Sequence, residues 1–491
     1  MRPIRGAEME RLVTEATDGL ADRHPELSAR TTLVRSQVRV LVVMGVVMVV
    51  GLITFPLRTA QVLAGALTFA YAAAVGYRLR CFRAGLRDDR AVRVTDEEAR
   101  AIPDADLPVY TVLVPAYREP EVIGHLLGNL AALEYPTDRL EVIVLLESDD
   151  TVTLGAIEAA EPPDHVSVVV VGPGLLKTKP RACNVGAALA RGELLTIYDA
   201  EDQPEPLQLR RAVAAFRRLP DDVVCLQARL SYFNAEQNTI TRWFAAEYLA
   251  WFTHLLPGLP ALGSPIPLGG TSNHIRVPTL LEVGGWDPYN VTEDADLGIR
   301  LARAGYRVAI LDSVTYEEAN SDFVNWVKQR SRWYKGYLQT LLVHLRSPRR
   351  TLRELGPRGS VGLTLFVGGT PALALLNPIF WALTVLWFGF RPAAIGDVFS
   401  GPLYFIALAC WIFGNLAIVY MGLLSVHAAR RPELLVPMLL VPAYWVMMTL
   451  AAVKAAVQLV HTPSFWEKTT HGLGGAQPSM PVAPGAPGSS L

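Results

Sequence analysis

The sequence predicts an α/β domain with a mostly parallel, Rossmann-like central sheet, inserted between α-helical membrane segments. Three observations predict it. Long apolar runs stand towards both ends of the 491-residue chain. Between them, short apolar strands alternate with amphipathic helices, the pattern of a sheet covered on both faces. The hydrophobic content is 51%, with a positive mean hydropathy, which places part of the chain in lipid.

The membrane segments come first. Residues 38–55 are nearly all Val, Leu, Met and Ile, long enough to cross a hydrocarbon core at about 1.5 Å per residue. Some 36 mostly polar residues precede this run and no small-residue cleavage site follows it, so a span is expected rather than a cleaved signal. A second run, 60–79, follows a Pro56-Leu57-Arg58 turn and completes a hairpin. Arg35 and Arg39 before it, and Arg78, Arg80, Arg83 and Arg87 after it, outnumber Arg58 in the turn, which predicts cytoplasmic ends. Apolar runs return at 361–390 and 402–426, flanked by Arg346, Arg349, Arg350, Arg353, Arg358, Arg430 and Arg431. The last run, 433–460, carries Pro437, Pro442 and Lys454 and is expected to be re-entrant or interfacial.

These features divide the chain into a cytoplasmic segment 1–36, a hairpin 37–80, a linker 81–104 and a cytoplasmic domain 105–322. An amphipathic region 323–358, membrane helices 359–427, the re-entrant segment 428–461, a loop 462–474 and a disordered Pro/Gly/Ser-rich tail 475–491 follow. A formal net charge of −1 gives no basic field, so no nucleic-acid partner is expected. Cys81, Cys183, Cys225 and Cys410 lack disulfide or zinc spacing and read as packing residues.

Within the domain, strands are predicted at 109–114 (VYTVLV), 141–146 (EVIVLL), 166–171 (VSVVVV) and 194–198 (LLTIY). Helices are expected after the first strand, near 182–190, and from about Pro206. Ligands of such sheets sit beyond the carboxyl ends of the strands. Polar clusters stand there: Tyr117-Arg118-Glu119, Glu147-Ser148-Asp149-Asp150 and Asp199-Ala200-Glu201-Asp202.

Asp199 and Glu201, at i and i+2 past a buried strand, suit one hard divalent cation; a solvated acidic turn before the next helix fits the same residues. Thr292-Glu293-Asp294-Ala295-Asp296 opens an amphipathic helix. It reads either as an N-cap with dipole-complementing acids or as the seat of a general base, Asp294. Gln329-Arg330-Ser331-Arg332-Trp333 lies in a helix expected over 323–345. Its arginines suit a diphosphate and its Trp a sugar face, or the whole is a basic helix on the membrane surface.

In this order VPAYREPEV, LLESDD, KPRACN, DAED, TED and QRSRW resemble the D, D, D, Q(Q/R)xRW series of processive family 2 glycosyltransferases, the cellulose and hyaluronan synthases among them. The resemblance covers about 230 residues and implies a GT-A fold. It assigns Asp294 as catalytic base and Asp199 and Glu201 as ligands of Mg²⁺ or Mn²⁺, with Glu in the second place of the DxD. Tyr117, Glu119, Glu147, Asp149, Lys179, Arg181, Asn184, Arg330 and Arg332 fall to the donor, and Trp333, Glu293 and Gln329 to the acceptor. Phe465, Trp466, Lys468 and Thr469 match a gating loop, which would have to be cytoplasmic. The implied reaction is inverting transfer from a UDP-sugar in the plasma or inner membrane. The expected product is a β-linked polysaccharide extruded through membrane helices, with an outer accessory protein as a further partner beside membrane lipids. Transfer of one sugar to a lipid is the alternative, and a non-catalytic scaffold a third reading. No apolar run follows the gating-like loop in this sequence, so a channel made by one chain would be thin.

Overall fold

The computed structural model of the protein describes residues 6–87, 90–174 and 176–467. Lys468, Thr469 and the predicted disordered tail lie outside the described residues.

Among the described residues, nine strands form one sheet: β1 (Ala91–Val92), β2 (Tyr110–Ala116), β3 (Leu140–Glu147), β4 (Val166–Val171), β5 (Leu194–Ile197), β6 (Gln203–Pro204), β7 (Val223–Tyr232), β8 (Asn273–Arg276) and β9 (Arg307–Glu317). Their order is β1-β9-β7-β8-β5-β2-β3-β4, with β6 beside β9. β2 pairs in parallel with β3 and β5, β3 with β4, and β9 with β1 and β7; β8 and β6 run antiparallel to their neighbours. β2 and β3 are the apolar central strands, and alternate residues serve opposite faces. Val112 and Val114 pack with Leu126, Leu130 and the Gln208–Arg218 helix, whereas Leu113 packs with Val185, Leu297 and Leu301 on the other side.

The four predicted strands are found within two residues of their expected bounds. β7, β8 and β9 were not predicted, because their interiors carry polar residues that only tertiary partners satisfy. Gln227 in β7 donates to the Thr271 and Ala228 carbonyls, and Thr315 in β9 accepts from Ser272 and Gln208 at 2.7 and 3.1 Å.

The N-terminal segment is more than a polar leader to the first span. Helix α1 (Ala7–Arg23) buries Val13, Ala16 and Leu20 against the domain, beside the Lys179–Leu189 helix. Met9, Val13, Ala16 and Leu20 recur at three- and four-residue spacing, which makes one apolar face. The segment after α1 is pinned by Arg346 to the Pro25 carbonyl (2.7 Å) and by Arg350 to Glu26 (2.9 Å).

Among the described residues, five helices are long and apolar enough to cross a membrane: α2 (Arg35–Thr54), α3 (Pro56–Gly85), and the helices Pro348–Phe390, Pro402–Ala428 and Val441–His461. In α2 no residue is buried, as expected of a helix facing lipid. The last helix is continuous, because Pro442 falls in its first turn, where no intrahelical N–H is lost. It runs along the Phe323–His344 helix: Tyr444 near its start accepts from Trp326 Nε1 (3.2 Å), and the carbonyls of Thr462 and Phe465 just past its end accept from Lys335 Nζ (3.3 and 2.7 Å). Lys454 is paired with Glu467 at 2.8 Å.

Candidate active site

A cavity of about 480 Å³ opens at the carboxyl ends of β2, β3, β5 and β9 and continues to the membrane helices. It gathers residues from each polar cluster.

At the end of β5 the chain turns sharply because Asp202 folds back. Its carboxylate accepts from the Asp199 amide (2.8 Å) and the Thr271 hydroxyl, leaving Asp199 and Glu201 to line the cavity. Lys179, in the first turn of its helix, pairs with Asp199 and donates to the Gly270 carbonyl at 2.9 Å. Burial lowers the Lys179 pKa, but Asp199 and Glu293 outweigh it and hold the ammonium charged. Glu317, closing β9, lines the same cavity; burial and then Asp202, Asp199 and Glu201 push its carboxyl well above the usual range.

Acidic charge thus crowds one wall. Among the described residues no three His, Cys, Asp or Glu are gathered as a ready metal cage. Mg²⁺ and Mn²⁺ are commonly held by one or two carboxylates plus substrate phosphates, so the pair Asp199 and Glu201 fits a cation that arrives with a diphosphate.

The Glu293–Arg303 helix brings Glu293 and Asp294 to the cavity. Thr292 holds the N-cap position without a side-chain cap bond. Gly270 packs against Asp294: a Cβ there would stand 3.6 Å from its Oδ2. Burial pushes the Asp294 carboxyl up to about 6. Burial and then Asp294 raise the Glu293 carboxyl as well. Two residues on, buried Asp296 accepts from Arg300 (2.7 Å) and contacts His344 Nε2 (3.0 Å), fastening this helix to the end of the Phe323–His344 helix.

The same two helices meet at Gly336, where any Cβ would collide with the Thr292 side chain. Gly336→Ala is expected to destabilise the protein by about 1–3 kcal/mol and to part Arg332 from Asp294. Thermal unfolding in detergent and transfer rate, measured together, check both effects.

On the Phe323–His344 helix, Gln329, Arg330, Arg332 and Trp333 line the cavity. Arg330 is already committed. It makes a bidentate pair with Glu247 (2.8 and 2.6 Å), bonds the Tyr444 hydroxyl (3.1 Å) and lies against Phe244, Trp326 and Trp333. Its expected role as a diphosphate ligand is therefore corrected to that of a brace. Arg332 faces Glu293, Asp199 and Asp294, donates to the Glu467 carbonyl (3.1 Å) and lies over the Trp466 ring at 4.7 Å. Trp333 stacks on Tyr248 at 6.3 Å. Gln329 Oε1 is buried without a hydrogen-bond partner, an acceptor left for a ligand.

Of the other expected donor residues, Tyr117, Glu119 and Glu147 line the cavity. Asp149 does not; it accepts from the Tyr117 hydroxyl (3.1 Å) and pairs with Lys177 (2.9 Å). Arg181 is fully buried and paired with Glu147, out of reach of a ligand. Asn184 is likewise corrected: its amide donates to the Ala16 and Trp286 carbonyls (2.9 and 2.8 Å) and accepts from the Trp286 amide, splinting α1 to the domain. Trp466 lines the cavity, whereas Phe465 is exposed.

Sequence reasoning missed Lys177, Glu247, Tyr248, Trp251, Glu317, Glu318, Tyr337 and Thr370, all in the cavity wall. Glu317 and Glu318 had a signal, since they stand at the carboxyl end of a strand, β9, which the sequence pattern does not reveal.

An acidic strand-end pair, a helix-borne carboxylate and an arginine around one cavity on this sheet define a glycosyltransferase of the GT-A fold. Models described as glycosyl transferase family group 2 and glycosyl transferase family 2 match residues 194–426 and 111–265, and the chain belongs to the family 2 glycosyltransferases. Among its relatives, "Probable glycosyltransferase YdaM" of Bacillus subtilis is 28% identical over 243 residues, 49% of this chain and 58% of that protein. "Beta-monoglucosyldiacylglycerol synthase" of Trichormus variabilis is 31% identical over 242 residues, 48% and 50% of the two chains. The chain thus spans little more than half the length of these curated relatives. The mannosyltransferase PcManGT of Pyrobaculum calidifontis, solved with GDP-Man and Mn²⁺, shares the fold at 20% identity and a TM-score of 0.54, over 82% of this chain and 99% of that one.

Proposed function

We propose that this chain transfers a sugar, with inversion, from a nucleotide-diphospho-sugar to a hydroxyl of an acceptor held at the membrane. One observation carries the proposal: a single cavity has Asp294, Asp199, Glu201 and Arg332 at one end. At the other, an aromatic chamber of Tyr248, Trp251, Phe252 and Tyr337 reaches Thr370 on a membrane helix.

The nucleotide lies over the ends of β2 and β3, near Tyr117 and Glu119, and the diphosphate at Lys179 and Arg332. Asp294 takes the acceptor hydroxyl's proton, the oxygen attacks the anomeric carbon, and the bond from that carbon to the diphosphate oxygen breaks. The nucleoside diphosphate leaves, and the configuration inverts because attack and departure occupy opposite faces. A Mg²⁺ or Mn²⁺ ion held by Asp199 and Glu201 would supply charge neutralisation of the diphosphate. The complex of PcManGT with GDP-Man and Mn²⁺ supports this class of donor and cofactor, and UDP- and GDP-sugars offer the same diphosphate. The distribution of arginines around the spans supports a cytoplasmic domain on a plasma or inner membrane.

The relative named for diacylglycerol glucosylation supports a lipid acceptor. Growth of a β-linked polysaccharide is the second reading, favoured by Trp333 as an aromatic platform and by Trp466 closing one wall; an outer accessory protein belongs to that reading alone. Purified protein supplied with radiolabelled UDP- and GDP-sugars separates them. Label in a small extractable lipid supports the first, label in a high-mass polymer supports the second, and label in neither with every sugar sinks the proposal.

Transfer is also expected to fall as pH drops through about 6, the value to which burial raises Asp294, since only the carboxylate can accept a proton. The pH profile of kcat/KM checks this; an acid limb near 4 would point to a different base.

A further inference from the structure

We infer that the membrane-side end of the cavity is a subsite for a phosphate on the acceptor lipid, recognised by Arg78; this rests on the lipid-acceptor reading above. Arg78 stands about two turns before the end of α3. Its Nη2 donates to Thr370 Oγ1 at 2.5 Å, and its guanidinium lies 5.9 Å from the Trp251 ring centroid and 5.4 Å from that of Phe366. Thr370 and Trp251 are wall residues of the cavity.

Among the described residues this cation makes no ion pair; its side chain bonds Thr370, and its Nε is buried without an acceptor. Glu247, the acid in the nearby wall, is taken by Arg330 through both of its oxygens. Ring faces attract a guanidinium but do not neutralise it. A cation held among membrane helices without an acid is costly to keep and marks a ligand pathway. A phosphate would satisfy it through two parallel N–H bonds. The aromatic chamber between Arg78 and Asp294 then houses the polar part of the head group, whose hydroxyl meets the base. The lipid class is a phospholipid with a hydroxyl-bearing head group.

The test uses the full chain in phosphatidylcholine nanodiscs, radiolabelled UDP- and GDP-sugars, and two acceptor probes. Phosphatidylinositol carries phosphate and hydroxyls; monoglucosyldiacylglycerol carries hydroxyls alone. Label is expected in the first at a rate about tenfold above the second. Arg78→Gln should raise KM for the first about tenfold, with Arg78→Lys recovering part of the loss and acceptor-free donor hydrolysis unchanged. If Arg78→Gln loses that hydrolysis through misfolding, the ratio between the two lipids in Arg78→Lys decides. Equal labelling of both lipids, or an equal loss on both in the variants, overturns the phosphate subsite while lipid transfer stands. Label only in a polymer, or in neither lipid, overturns the lipid reading with it.

Discussion

Asp294→Asn should lower transfer by about 10²- to 10⁴-fold while leaving donor affinity nearly unchanged. The substitution is close to isosteric, so the helix start and its contact with Gly270 should survive. What is removed, on the proposed mechanism, is the group that takes the acceptor's proton. Glu293 is a poor substitute, because burial, which the substitution leaves in place, still raises its carboxyl above the usual range. Steady-state rates at saturating donor, with donor affinity measured separately by calorimetry, distinguish loss of the base from loss of binding. A variant with unchanged kcat would remove Asp294 from the chemistry.

The second large effect concerns the acidic wall. Removing divalent cations with a chelator should reduce transfer on the order of 10³-fold, and Mn²⁺ or Mg²⁺ should restore it. Asp199→Asn should resist that rescue. Asp199, Glu201 and Glu317 stand together with Lys179 bonded to the first, and an incoming diphosphate would add further negative charge. A cation relieves both. Transfer that survives chelation would instead leave Lys179 and Arg332 to neutralise the leaving group by themselves.

Much of this site was legible in the sequence. Asp199, Glu201 and Asp294, expected to act together, all line the one cavity, and each follows a local rule, a strand's carboxyl end or a helix's first turn. Arg330 was misread for the opposite reason: its carboxylate partner lies on another helix, 83 residues away, and no spacing discloses such a pairing. Arg181 and Asn184 show the same limit, spent on Glu147 and on the backbone of α1 and Trp286. The central strands declared themselves through unbroken apolar runs, while β7 and β9 were hidden by interior polar groups whose partners come from elsewhere. Helix α1 was visible in principle, since its apolar positions keep helical spacing.

That first helix has a mechanical consequence. It clasps one face of the sheet domain, and Arg346 and Arg350, just past the Phe323–His344 helix, clamp the stretch of chain leading from it to α2. With the long apolar helices in a bilayer, the domain is moored from both of its sides and cannot swing away like a flag on one rope. On the proposed mechanism the distance from the lipid surface to Asp294 is then a fixed gauge, against which the reach of any acceptor is measured.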